Sequence, residues 1–70
     1  MRIREFRKKA GLTQQELADK TFIRREQISR YETGAQMPEL AGLIRIKYVL
    51  GCTLDELVAE EKEPQKALPL

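Results

Sequence analysis

The stretch from Thr13 to Gly34, TQQELADKTFIRREQISRYETG, constrains this chain more than any other, because its start, break and stop are all set by local chemistry. Thr13 is a good N-cap residue and Glu16 follows three positions on, so T-Q-Q-E forms a capping box that starts a helix. Leu17 and Ala18 give that helix an apolar side, and Thr21-Phe22-Ile23 ends it. A second helix follows over about residues 24–33, with Ile28, Tyr31 and Glu32 at i, i+3 and i+4. Gly34 stands where a left-handed C-cap is wanted. The spacing predicts two short helices joined by a tight turn.

Such a pair has the form of a helix-turn-helix, which places its second helix in the DNA major groove. With Ile28 turned to the core, Glu26, Ser29, Arg30 and Thr33 point away from it, and Arg25 and Gln27 lie on the flanks. Arg24 and Arg25 stand in the first turn, where the helix dipole disfavours a cation by about 0.3–1 kcal/mol. A local rule broken without visible compensation often marks a functional site. A merely solvated face of a small helical protein fits the same helical wheel.

T-Q-x-E-L-A followed by R-x-x-I-S-x-Y-E-x-G resembles the lambda-repressor-like helix-turn-helix family, the Cro/phage-repressor or xenobiotic-response-element type. The likeness runs from Ile3 to Leu57, and G-C-T-L-D-E-L is similar to the family's closing G-x-[ST]-x-[DE]-x-L. The resemblance implies an all-α fold, a compact bundle of about five short helices around a central helix-turn-helix. It also implies sequence-specific double-stranded DNA binding by a repressor-like transcriptional regulator. Arg25, Glu26 and Arg30 match positions that reach base edges, where Arg suits guanine and Glu accepts from cytosine N4. Glu26 equally fits a role beside Arg30 at i+4, orienting it. Thr13, Gln14, Arg24 and Gln27 are the expected contacts to the DNA backbone, Gln14 also bracing the recognition helix. In the family a cation at Arg7 pairs with the acid at Glu32. The chain departs from the pattern at Phe22, where many members carry Gly, and at Lys47, where a small residue is usual. It departs again at Ala35-Gln36-Met37, which lacks the Lys or Arg that relatives often carry there.

Around this centre, residues 2–10 read as a first helix with Ile3, Phe6 and Ala10 on its apolar stripe and Arg7 beside Phe6 on the inward side. Pro38 suits a helix start, and the helix from Glu39 to Leu50 is expected to turn Leu40, Leu43, Ile44, Ile46 and Leu50 inward. Thr53 with Glu56 makes a second capping box for a final helix bearing Leu54, Leu57 and Val58. The expected core is Phe6, Leu17, Ile28, Leu43, Ile44, Leu50 and Leu57, with Cys52 as a small buried hydrophobe. Residues 1–59 form the expected domain. Residues 60–70, EEKEPQKALPL, lose the periodicity and read as a flexible tail.

Seventy residues allow one domain and a small core. A single Cys and no His leave no internal disulfide and no zinc set. With no His base, no phosphate-cradling Gly loop and too little chain to enclose a substrate, the sequence argues against an enzyme and calls for no cofactor. No apolar run reaches the length of a membrane span, so a cytoplasmic protein is expected. The net charge of +2 is uneven: residues 1–36 carry nine Lys/Arg against five Asp/Glu, and residues 37–70 carry four against six. The basic half is the helix-turn-helix half, as a phosphate-binding face requires. A single such motif reads only a few base pairs. A homodimer on a palindromic operator is therefore expected, with the final helix and tail as its contact surface. The alternative functions are an antitoxin-like protein whose tail engages a protein partner, or a pure interaction module on the same fold.

Overall fold

Capping boxes start two of the helices, at the positions the sequence marks. The Thr13 hydroxyl accepts from the Glu16 N–H at 3.0 Å while the Glu16 carboxylate accepts from the Thr13 N–H at 2.8 Å. Thr53 and Glu56 repeat this at 3.1 and 2.9 Å. Each box satisfies backbone donors that a helix N-terminus otherwise leaves open. In the computed structural model, which describes residues 1–59, the elements are α1 (Ile3–Lys9), α2 (Gln14–Thr21), α3 (Arg25–Thr33), α4 (Leu40–Leu50) and α5 (Leu54–Val58). The described residues hold no strand, so the fold is all-α as expected. The expected tail over residues 60–70, with its possible partner contact, lies outside the described residues.

The centre of the bundle is α2, which packs against α3 and α4, while α1 leans on α3 and α4 and α5 closes against α4. Ile3, Leu17, Ala18, Ile28, Tyr31, Leu43, Ile46 and Leu57 form the buried cluster. Leu17, Ile28, Leu43 and Leu57 are there as expected. Phe6, Leu50 and Cys52 pack against the cluster from its rim, partly buried. Burial pushes the Cys52 thiol up from its ordinary range, and the Glu56 carboxylate adds to the effect. The first residues are tied to the last helix by the Arg2 N–H, which donates to the Leu57 carbonyl at 2.8 Å. No helix of the described residues is long and apolar enough to cross a membrane.

Three expectations fail. Ile44 is 45% exposed and Leu40 is 63% exposed. Ala10, expected on the α1 stripe, is exposed at the C-cap of that helix. For α4 the reason is that apolar residues run almost all round it, so the pattern alone does not select a face. Contact with α2 selects the side carrying Gly42, Leu43 and Ile46. Thr21, which the pattern did not place in the core, is fully buried. Its hydroxyl is satisfied by donating to the Leu17 carbonyl at 2.7 Å.

Both helices of the motif end in left-handed backbone. Gly34 stops α3 at φ 84°, a conformation glycine adopts without steric cost. Phe22 ends α2 at φ 59° and ψ 36°, where a side chain is strained, and its ring is 87% exposed. The left-handed conformation costs an L-residue roughly 1–2 kcal/mol, and glycine returns about half of that as lost unfolded-state entropy. Phe22→Gly is therefore expected to raise unfolding stability by up to about 1 kcal/mol. A fall in a urea titration would show that the ring makes a contact that outweighs the strain.

Candidate nucleic-acid interface

The apolar residues that the second motif helix buries are Ile28 and Tyr31, and these two anchor its orientation. Arg24 is its N-cap and carries no side-chain capping bond. Arg24, Arg25, Glu26 and Arg30 are exposed, while Gln27 is half-buried. Arg24, Glu26, Gln27 and Arg30 edge one open depression. Arg25 belongs with Glu26 to the next groove, which Gln15, Asp19 and Phe22 also line. Five of the expected DNA contacts thus come together on the outer side of α3. Thr13 and Gln14 stand apart, at the start of α2.

Among the described residues the ion pairs are Arg2–Glu5 and Arg7–Glu32. Within the described residues, Arg24, Arg25 and Arg30 accordingly have no carboxylate partner, and Glu26 does not pair with Arg30. Three exposed cations on α3 and its N-cap, two of them at the wrong end for the helix dipole, form a surface suited to an anion. In the first pair the Arg2 guanidinium holds the Glu5 carboxyl below its ordinary range, chiefly through their hydrogen bond.

Behind α3 lies a polar network. The Arg7 Nε donates to Glu32 Oε2 at 2.6 Å and its Nη2 donates to Oε1 at 3.2 Å, with the two side chains only 10% and 3% exposed. The remaining Arg7 Nη1 donates to the Leu12 carbonyl at 2.8 Å. Gln14 Nε2 also donates to Glu32 Oε1, at 3.0 Å. One carboxylate therefore ties α1, the start of α2 and the end of α3 together. The Gln14 amide uses one N–H on Glu32 and keeps a second donor, so it can brace α3 and still bond elsewhere.

A residue that sequence reasoning missed is Arg45. Its Nε donates to the Thr21 carbonyl at 2.8 Å, closing an open carbonyl at the C-terminus of α2 and fixing the turn that precedes α3. Arg45 then lines, with Phe22, Arg24, Gln27 and Gln36, a groove of about 290 Å³ beside the turn. Nothing local in the sequence marks this role, because the partner is a backbone carbonyl brought close only by the packing of α4 on α2. No group of three or more His, Cys, Asp or Glu among the described residues is placed to hold a metal ion.

Comparison with known proteins bears on this surface. The profile of a helix-turn-helix family matches residues 3–57. An HTH-type transcriptional regulator of Archaeoglobus fulgidus is 42% identical over 62 residues, covering 89% of each chain. The HTH-type transcriptional regulator AnsR of Bacillus subtilis is 35% identical over 66 residues, which are 94% of this chain and 57% of AnsR. Among solved structures, the N-terminal DNA binding domain of SinR from Bacillus subtilis superposes with a TM-score of 0.80 at 30% identity, over 89% of this chain and 91% of that one.

Proposed function

The chain belongs to the helix-turn-helix family of DNA-binding transcription regulators, and on that premise we propose that it binds double-stranded DNA sequence-specifically, as a cytoplasmic, repressor-like regulator with α3 in the major groove. The observation that carries this is the set of exposed Arg24, Arg25 and Arg30, unpaired within the described residues, on a helix whose inner side is locked by Ile28, Tyr31 and the Glu32 network. Arg30 and Arg25 read bases, and Glu26, free of Arg30, accepts from a cytosine amino group. Arg24, Gln27, Thr13 and the second amide N–H of Gln14 meet the sugar-phosphate backbone. The role is binding rather than catalysis, and it calls for no metal or cofactor. Two copies on a palindromic operator, with recognition helices about 34–36 Å apart, form the working unit.

Operators selected from a random DNA pool supply the test. Arg30→Ala is expected to cost about 1–3 kcal/mol on the operator and to relax preference at one base position. Arg24→Ala is expected to weaken operator and scrambled DNA alike. It should also make the slope of log affinity against log salt shallower by about one counterion. Equal losses on both DNAs for Arg30→Ala would remove Arg30 from base readout. A wild-type protein that shifts no DNA at low salt would favour a protein-interaction module on this fold.

A further inference from the structure

Helix α4 carries apolar side chains on the side turned away from the bundle as well as on the side turned toward it. Leu40, Ile44 and Tyr48 follow one another at i, i+4 and i+8, so they form a single stripe along the helix. They are 63%, 45% and 82% exposed. A helix apolar on all sides is normally covered on all sides. The bundle covers only the side of Leu43 and Ile46. Of the flanking cations, Arg45 is drawn toward α2 by its bond to the Thr21 carbonyl, and the Lys47 ammonium lies 6.0 Å from the Tyr48 ring centroid. The stripe itself holds no charge.

We propose that the Leu40–Ile44–Tyr48 stripe of α4 is the face through which two copies of this chain meet, antiparallel about Ile44. The proposal rests on the homodimer named above and places its contact on α4 instead of the final helix and tail. A two-fold contact must be self-complementary, with residue i against j and j against i. The stripe meets this demand: Ile44 faces its own copy, and each Leu40 faces the other protomer's Tyr48. The area decides how strong the contact is. Three side chains at these exposures offer on the order of 400 Å² per protomer, about half of the ~800 Å² per partner of a standard stable interface. Free copies therefore associate weakly, and two copies held on neighbouring half-sites meet at high effective concentration.

The test compares wild type, Ile44→Glu and Tyr48→Glu on DNA carrying one half-site and on DNA carrying two, with Val58→Glu on α5 as the control. Thermal melts establish that each variant is folded. Tyr48, more exposed than Ile44, serves if Ile44→Glu is not. Wild type should bind the two-site DNA cooperatively, and either α4 variant should lose on the order of 10-fold or more there while keeping half-site affinity within about twofold. Val58→Glu should retain the cooperativity. Cooperativity that survives both α4 variants, or is lost only in Val58→Glu, overturns the proposal. If the wild type binds neither DNA, the DNA-binding role fails, and sedimentation of the free protein at millimolar concentration still decides the α4 contact. A dimer abolished by Ile44→Glu or Tyr48→Glu supports it, and a wild-type monomer or an unaffected dimer ends it.

Discussion

Glu32→Ala is expected to cost about 3–5 kcal/mol, because it leaves the Arg7 guanidinium buried without its counter-charge. The Arg7 side chain is 10% exposed and directs two of its donors at the Glu32 carboxylate. Truncation also takes the acceptor from the Gln14 amide. A domain of this size has on the order of 4–10 kcal/mol in total, so the variant should be substantially unfolded in mild urea. The cost belongs chiefly to the stranded charge, not to the pair's intrinsic strength. Arg7→Met combined with Glu32→Leu should therefore recover much of the loss. A double-mutant cycle of Arg7→Ala and Glu32→Ala measures the coupling directly. Additive losses would mean that the two side chains act independently, and the tie between α1 and the end of α3 would have to come from packing alone.

Ile28→Ala should be nearly as damaging, at about 2–5 kcal/mol. Its side chain is fully buried in the cluster with Leu17, Ala18, Tyr31, Leu43 and Ile46. Removing it takes away transfer free energy and leaves a cavity that the surrounding helices fill only partly. The position also decides function, since Ile28 and Tyr31 are the buried residues of α3 and set which side of that helix faces outward. The loss should appear as a lower urea midpoint with an unchanged slope. An unchanged midpoint would place the inner and outer faces of α3 the wrong way round and undo the assignment of Arg25 and Arg30.

Most of the fold, and the candidate site on it, is written locally. Thr13 with Glu16 and Thr53 with Glu56 start helices because their partners are three residues away. Gly34 and Gly51 stop helices because the left-handed conformation favours glycine wherever it stands. That Glu26 and Arg30 point outward, with Arg25 on a flank, follows from the 3.6-residue period once Ile28 is turned inward, whereas Arg24 is exposed as the extended N-cap residue. The Arg7–Glu32 pair came from family resemblance; no local spacing joins residues so far apart.

What the sequence by itself determined is therefore the part that depends on neighbours within about one helical turn: where helices begin and end, and which side of α3 is polar. Only the tertiary structure decided the rest. It turned Leu43 and Ile46 inward and left Leu40 and Ile44 outside, because an almost uniformly apolar helix takes its inner face from whichever elements pack on it, here α2, α1 and α5. It brought Arg45 to the Thr21 carbonyl and the Gln14 amide to Glu32. A hydrogen bond between distant residues has no period or spacing to announce it, and it exists only once the helices have met.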